Sequence, residues 1–154
     1  MSILVTYFSA SGVTRAAAEK VATVIGGDIF EIEPVQKYTK EDLDWMDKQS
    51  RSTIEMNNRD FRPPVLNKLT NAENYDTIVI GFPVWWYTAP TIINTFIEEN
   101  NLDGKNAYVF VTSGSSGAED SFNDLKNAYP NINFISCKRL KGNETEKEIL
   151  KWIK

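Results

Sequence analysis

The sequence predicts an α/β domain in which parallel β-strands alternate with α-helices. Continuous apolar runs, such as ILVTYF (residues 3–8) and TIVIGF (residues 77–82), are typical of strands buried on both faces. Stretches with helical periodicity separate these runs along the chain. With 154 residues, 42% of them hydrophobic, the chain can build one core, and we expect a single domain over residues 1–154.

The first third of the chain predicts a strand, a helix and a second strand. The strand at residues 3–8 leads into a helix at residues 13–25, which the two glycines at 26–27 end. The apolar face expected for this helix consists of Val13, Ala17, Val21 and Val24. The stretch DIFEIE (residues 28–33) alternates apolar and acidic side chains, which predicts a strand with one wet face near a sheet edge.

Residues 34–75 have the least regular pattern. Thr39 and Asp42 make an approximate capping box, which predicts a helix at residues 41–57 with Trp45 as a packing anchor. The run RPP at residues 62–64 then predicts an extended connection. The acidic residues of this segment are expected to form a solvated face and not a metal site: Glu41, Asp42, Asp44, Asp47 and Asp60.

The second half of the chain continues the alternation. We expect strands at residues 77–82, 107–112 and 133–137, and helices at residues 91–100, 121–129 and 144–154. The side chains expected to pack inward from these helices are Ile92, Ile93, Phe96, Ile97, Ile149, Leu150, Trp152 and Ile153. Ligands of such sheets bind beyond the carboxyl ends of the parallel strands, so the loops at those ends are the candidates for a site.

The composition excludes several classes of function. The chain has no histidine, which excludes serine–histidine and cysteine–histidine nucleophiles and histidine-based metal sites. A net charge of −4 argues against nucleic-acid binding, and no apolar run reaches the roughly 18–20 residues of a membrane span. The single cysteine, Cys137, is expected to be a buried thiol on an inner strand. With no disulfide framework and no basic leader, the chain is expected in a reducing cytoplasm.

Three loops of unusual composition follow the first, third and fourth strands. In one interpretation SASGVT (residues 9–14) is a helix cap, with Ser11 and Thr14 as capping residues. In the other interpretation, backbone N–H groups and hydroxyls at the helix start bind a phosphate, which approaches closely because Gly12 has no side chain. The P-loop pattern G-x-x-x-x-G-K-[ST] is missing, and on this motif alone both interpretations stay open.

The other two loops are expected at the same edge of the sheet. PVWWYTAP (residues 83–90) is either a hydrophobic lid or protein-contact patch, or a platform on which a flat ligand stacks. TSGSSGAED (residues 112–120) is by default a flexible loop, but its two glycines would let backbone groups approach the edge of a planar ligand. Together the three loops predict a site for a phosphorylated, flat heterocycle.

These motifs resemble those of the flavodoxin family, and in particular those of its short single-domain members. YFSASGVTRAAAEKVA is similar to the family's phosphate loop and first helix, GFPVWWYTAP to its first flavin loop, and TSGSSGAEDSFNDLK to its second. The resemblance covers essentially the whole chain. It implies a three-layer, doubly wound parallel sheet of five strands in the order 2-1-3-4-5, a bound FMN, and redox chemistry carried by the flavin.

The resemblance also implies which residues contact the cofactor. The residues that would hold the FMN phosphate are Ser9, Ser11, Gly12, Val13 and Thr14. Those that would line the flavin ring are Pro83, Val84, Trp85, Trp86 and Tyr87. Those that would approach its pyrimidine edge through backbone groups are Ser113, Gly114 and Gly117. Arg15 is expected to be solvated.

Two departures from the family pattern bear on function. The second flavin loop has no aromatic residue to cover the outer face of the ring. Tyr87 stands where many members have a glycine, and because a non-glycine residue resists positive φ, strong stabilisation of a flavin semiquinone is not expected. Four acidic residues are expected to add to the negative charge of the phosphate and to lower the flavin potential: Glu98, Glu99, Glu119 and Asp120.

Three classes of function remain. The favoured one is a low-potential electron carrier that serves a redox partner protein, since no catalytic acid or base is evident. The alternative is an FMN-dependent NAD(P)H:quinone-type reductase, in which a small flat electron acceptor stacks on the uncovered ring. The third class is a non-redox anion- or nucleotide-binding module of the same topology. It is least favoured, because the Cys-x5-Arg loop and the acidic cluster of such modules are missing.

Overall fold

The computed structural model describes residues 2–113 and 115–153. Its sheet has five strands in the order β2-β1-β3-β4-β5, and every neighbouring pair is parallel, which confirms the expected topology. The strands are β1 (Ile3–Tyr7), β2 (Asp28–Glu31), β3 (Thr77–Pro83), β4 (Asn106–Thr112) and β5 (Asn133–Arg139). The helices are α1 (Val13–Ile25), α2 (Arg51–Asn57), α3 (Thr91–Glu99), α4 (Glu119–Ala128) and α5 (Glu146–Trp152), with a 3-10 turn at Ala72–Asn74.

Helices cover both faces of the sheet. On one face α3 and α4 pack over a core that includes Ile80 and Phe82 of β3. On the other face α1 and α5 pack over Val5 and Val79. Since successive side chains of a strand point to opposite faces, each inner strand feeds both cores, which explains the continuous apolar runs in the sequence.

The approach of β3 to β4 depends on a glycine in the second of these cores. Gly81 lies opposite Phe110 in the strand register, and a Cβ at Gly81 would stand 2.0 Å from the tip of the Phe110 ring. The ring therefore occupies the space that any other residue's side chain would need. Position 81 requires glycine for this packing reason and not for a turn.

The helix predicted at residues 41–57 is wrong over its first ten residues. Only the last turns are helical, as α2, which Ser50 caps. Before it, the carboxylates of Asp44 and Asp47 accept hydrogen bonds from backbone N–H groups two residues further along the chain. Such local bonds offer the backbone an alternative to helical pairing, so this stretch forms consecutive turns. Trp45 is consequently 70% exposed and is not the packing anchor expected.

Three other side chains expected inside lie elsewhere. Val13 is 62% exposed because the first turn of α1 lies at the open end of the sheet. In α5, Ile149 faces the sheet and is buried, so the next residue, Leu150, points toward solvent and is exposed. Cys137 is only partly buried, since β5 is an edge strand and not an inner one.

Candidate functional site

Three loops lie side by side at the carboxyl edge of the sheet. We call them the hydroxyl loop (residues 9–14), the aromatic loop (residues 83–90) and the serine loop (residues 113–120). The end of β4 joins them: Thr14 Oγ1 lies 2.7 Å from Thr112 Oγ1, and the backbone N–H of Val84 donates to the Thr112 carbonyl over 3.2 Å. Their convergence follows from the parallel sheet, as expected.

The hydroxyl loop starts α1 without a side-chain cap. Ser11 is exposed and caps nothing, while Thr14 is buried and its hydroxyl pairs with Thr112. Ser9 Oγ accepts a hydrogen bond from the N–H of Gly12 over 3.0 Å, and Gly12 has a φ of 95°. The interpretation in which Ser11 and Thr14 cap the helix is therefore wrong. The 13-residue helix presents its first N–H groups without a side-chain acceptor among the described residues, and an anion would complete them.

Arg15, next along the chain, lines the same cavity as Ser9 and Gly12 but bonds to residues outside the hydroxyl loop. Its side chain is half-exposed, as expected, but it forms an ion pair with Glu31 of β2, and its Nε donates to the Tyr7 hydroxyl over 3.2 Å. These contacts with Tyr7 and Glu31 raise the pKa of Arg15. Because Glu31 already balances this charge, an anion at the hydroxyl loop would depend on backbone N–H groups and hydroxyls.

Two cavities with lysines in their walls flank the hydroxyl loop. One, of about 240 Å³, includes Ser9, Gly12 and Lys37 in its lining. The other, of about 470 Å³, includes Gly12 with Lys20 and Lys141. The loop thus has lysines on both sides, although Glu31 and Glu33 line the first cavity together with Lys37.

The aromatic loop is a tight hairpin turn. The backbones of Trp85 and Thr88 exchange two hydrogen bonds of 3.0 Å, which leaves Trp86 and Tyr87 as the two central residues. Both have positive φ, 49° and 65°, the combination that a type I′ turn requires and that glycine or asparagine usually supplies. The expectation that Tyr87 would avoid positive φ is therefore wrong.

The side chains of this loop divide into a packed part and an open part. Trp85 packs edge-on against Phe8, with ring centroids 5.7 Å apart, and against Tyr38, at 5.3 Å. Trp86 and Tyr87 are 40% and 72% exposed. Trp85 is thus held in place by the core, while its two neighbours present apolar rings to solvent at the mouth of the site.

The serine loop is fixed by a side chain that the sequence analysis missed. Arg139, at the end of β5, donates to the hydroxyl and to the carbonyl of Ser113, each over 3.2 Å. From the sequence, this role of Arg139 could have been inferred only from its place at the end of a strand beside a ligand loop. Gly114 lies outside the described residues.

A cleft of about 690 Å³ opens between the aromatic loop and the serine loop. Residues 84–87 and residues 113, 115 and 116 line it, whereas Pro83 ends β3 behind it. The segment before α2 and its first turn add Leu43, Trp45 and Ser52. No periodicity connects these three residues to the site, which is why they could not be predicted. The volume lies within the range of about 300–1,000 Å³ that is usual for small-molecule sites.

Only part of the expected acidic surroundings lies near this cleft. Glu119 and Asp120 form the first turn of α4, where the serine loop ends. Glu98 and Glu99 end α3, at the opposite edge of the sheet, because a helix that follows a parallel strand runs back along it. The hydrogen bond from Arg62 lowers the pKa of Glu98. The expectation that Glu98 and Glu99 act on the site is wrong.

The described part of the chain contains neither a helix suited to cross a membrane nor a cluster suited to bind a metal ion. None of its helices has the length and apolar character needed to cross a membrane. Residues 2–113 and 115–153 contain no group of three or more acidic or cysteine side chains arranged to hold a metal ion.

Comparison with known proteins places this fold and site in a family. A family model described as flavodoxin matches residues 2–154, and the chain belongs to the flavodoxin family. None of the curated proteins matches the chain.

Solved structures give the same result. A protein of Bacteroides eggerthii, provisionally described as a flavoprotein, is 47% identical with a TM-score of 0.96, and the match covers 99% of this chain and 95% of that one. Its counterpart from Bacteroides uniformis is 45% identical with a TM-score of 0.93, covering 99% and 97%. A flavoprotein of Lactobacillus acidophilus, solved in complex with FMN, is 26% identical with a TM-score of 0.77, covering 99% of both chains.

Proposed function

We propose that this flavodoxin binds FMN at the carboxyl edge of its sheet and transfers electrons at low potential to a partner protein. One observation carries the proposal: the uncapped start of α1 and an aromatic-lined cleft lie side by side at that edge. The first suits a phosphate and the second a flat ring. The Lactobacillus acidophilus relative, which was solved with FMN, supports the choice of ligand.

The described residues fit FMN in both polarity and shape. The hydroxyl loop offers uncapped N–H groups and the exposed hydroxyl of Ser11 to the phosphate. The aromatic loop offers indole and phenol rings to the flavin, with Trp85 held by the core. The backbone at Ser113, fixed by Arg139, offers polar groups to the edge of the ring. We propose these as the residues that hold FMN.

When bound, FMN supplies the electron transfer, because the flavin exchanges electrons while the protein supplies position and electrostatics. Glu119 and Asp120 at the start of α4 disfavour further negative charge on the ring, which lowers its reduction potential. The exposed rings of Trp86 and Tyr87 keep one side of the cleft apolar and accessible. No described histidine or paired carboxylate stands in the cleft to move protons, which favours a carrier over an enzyme.

The net charge of −4 suits a basic redox partner, attracted by complementary charge, and suits neither nucleic acid nor an anionic membrane surface. The single cysteine is compatible with work in a reducing cytoplasm. We therefore propose a cytoplasmic carrier with a protein as its partner.

The test is to mix the protein with excess FMN, remove free flavin by gel filtration, and record the visible spectrum. A retained flavin spectrum is the expected result, and loss of all flavin would contradict the proposal. Stepwise anaerobic reduction then separates the two redox functions. Two resolved one-electron steps support the carrier. Rapid bleaching by NADH or NADPH in stopped flow, in a single two-electron step, would favour the NAD(P)H:quinone-type reductase instead.

A further inference from the structure

Three large aromatic side chains around the cleft are open to solvent. Trp45 is 70% exposed, Trp86 40% and Tyr87 72%, and all three line the same cleft. Single exposed apolar residues are normal on a protein surface, but a cluster around one cleft marks a binding surface. Two of these residues belong to the aromatic loop. Trp45 comes from the connecting segment (residues 34–58), which lies outside the three loops that were expected to bind a ligand.

The part of the connecting segment around Trp45 is built from defined turns. Thr39 and Asp42 exchange hydrogen bonds, from the Thr39 N–H to the Asp42 carboxylate over 2.9 Å and from the Asp42 N–H to the Thr39 hydroxyl over 3.1 Å. The Asp42 carbonyl then accepts from the N–H of Ser52 over 2.9 Å. This last bond closes the loop that carries Trp45 onto the start of α2.

The connecting segment is also attached to the aromatic loop. The Tyr38 ring packs edge-on against Trp85, and the guanidinium of Arg51 lies 3.7 Å above the Tyr38 ring centre. Glu55 is buried, accepts from Arg51 Nε over 2.8 Å, and accepts from the Tyr38 hydroxyl. The pKa of Tyr38 is raised, mainly by burial and secondly by the hydrogen bond to Glu55. The phenol therefore stays protonated and keeps donating its hydrogen bond to Glu55. The segment is therefore positioned by contacts with the residue that forms the other side of the cleft.

Ser52 gives an independent sign that this wall meets a ligand. It lines the cleft, is 2% exposed, and its hydroxyl has no hydrogen-bond partner among the described residues. A buried hydroxyl without a partner costs about 1–3 kcal/mol relative to one that is paired. A polar atom of a ligand in the cleft would provide the missing partner.

We infer that the connecting segment forms a third wall of the flavin site, in which Trp45 covers the ring and Ser52 hydrogen-bonds to it. This inference rests on the proposed function, since it concerns how FMN is held. Trp45 then takes the part of the aromatic residue that the serine loop lacks. The flavin ring is recognised by this wall independently of the phosphate, which belongs to the hydroxyl loop.

The experiment compares the binding of FMN and riboflavin to the apoprotein and to four variants, by the quenching of flavin fluorescence. Riboflavin has the ring without the phosphate, so it isolates the contribution of the wall. We expect Trp45→Ala to weaken both flavins by the same factor, about tenfold or more, as aromatic stacking on a heterocycle predicts. Trp45→Phe should restore most of the affinity. Met46→Ala, which removes the equally exposed neighbour that lies outside the cleft lining, should change it less than twofold.

The fourth variant, Ser52→Ala, separates ligand contact from folding. Because the hydroxyl has no partner in the apoprotein, its removal should leave the apoprotein Tm unchanged or raise it. Riboflavin affinity should nevertheless fall several-fold. A lower apoprotein Tm with unchanged riboflavin affinity would show that Ser52 is only structural.

The outcomes distinguish this inference from the proposed function. Wild-type protein that binds neither flavin overturns both. Wild-type binding of FMN, with Trp45→Ala and Met46→Ala indistinguishable from it, overturns the third wall and leaves the proposed function standing. A loss of FMN affinity in Trp45→Ala with riboflavin affinity unchanged would place the effect of Trp45 at the phosphate and would also overturn the wall.

Discussion

At the scale of single residues, the turn of the aromatic loop is held in an unfavourable backbone conformation. Trp86 and Tyr87 both have left-handed φ, which costs a non-glycine residue about 1–2 kcal/mol. Two hydrogen bonds between Trp85 and Thr88 hold the turn closed. Such strain persists only where the surroundings determine the conformation, and it is common at ligand sites. The cost is the physical reason why the sequence argued against this conformation.

We expect Tyr87→Gly to stabilise the apoprotein by about 1 kcal/mol, because glycine adopts positive φ without a steric penalty. Little packing is lost, since Tyr87 is 72% exposed. Urea unfolding of the apoprotein at neutral pH measures the difference. Tyr87→Ala is the matched control, because alanine loses the same ring but keeps the left-handed strain. Equal stability of the two variants would show that φ at this position carries no cost.

At the scale of the elements, the packing of β3 against β4 depends on one missing side chain. Phe110 fills the space above Gly81, and the two residues are paired across the strands. Protein interiors are packed too densely to absorb an extra methyl group without displacement. The fully buried ring of Phe110 and its contact with Trp152 limit how far it can move.

Gly81→Ala is therefore expected to lower the free energy of unfolding by about 1–3 kcal/mol, as overpacking does. The measurement is urea unfolding of the single variant, of Phe110→Leu, and of the double variant. Since the smaller leucine side chain makes room for the added methyl group, the double variant should lose less stability than the sum of the two singles. Strictly additive losses would mean that the ring and the glycine do not interact.

In the connecting segment, the local sequence pattern was not sufficient to predict the secondary structure. Thr39 and Asp42 form the capping contacts that the sequence suggested, yet no helix follows them. Asp44 and Asp47 bind nearby backbone N–H groups and turn the chain instead. Helix signals and turn signals were both present in these residues. The packing of Tyr38 on Trp85 and the hydrogen bond from Ser52 to Asp42 favour the turns, and neither contact is visible in the local pattern.

At the scale of the whole molecule, one buried residue before α5, Glu144, contacts α1 through its backbone and the adjacent turn through its side chain. Glu144 is buried before α5, and its side chain accepts hydrogen bonds from the N–H groups of Lys141 and Gly142, over 2.7 and 3.0 Å. Its carbonyl accepts from Lys20 of α1. Burial alone would raise the pKa of Glu144, but these hydrogen bonds outweigh it and leave the pKa below its ordinary value of 4.5.

A carboxyl group whose pKa is lowered by folding stabilises the fold above its unfolded pKa and loses that contribution as the pH falls through the folded pKa. We therefore expect Glu144→Gln to be less stable than wild type by about 1–3 kcal/mol at pH 7, with the difference shrinking as the pH falls below 4.5. Urea unfolding at pH 7 and at pH 3.5 tests this. Glu146→Gln, at an exposed position in α5, is the control and should show little difference at either pH. If the difference in unfolding free energy between wild type and Glu144→Gln is the same at pH 3.5 as at pH 7, the charge of Glu144 does not contribute to stability.

The sequence by itself determined the alternation of strands and helices along the chain, the core on both faces of the sheet, and the three loops at one edge of the sheet. These follow from the periodicity of apolar side chains and from turn residues, both of which act over a few neighbouring positions. The resemblance of the loops to flavodoxin motifs added the strand order, which the structure confirms.

Only the tertiary structure decided that residues 39–49 form turns and bring Trp45 and Ser52 to the cleft, that Arg139 fixes Ser113, and that Trp86 and Tyr87 adopt positive φ. Local hydrogen bonds close the turns, but Tyr38 with Trp85 and Arg139 with Ser113 are contacts between residues far apart in the chain. Such contacts outweigh the local preferences that a sequence pattern records, because their free energies match or exceed those of the local preferences.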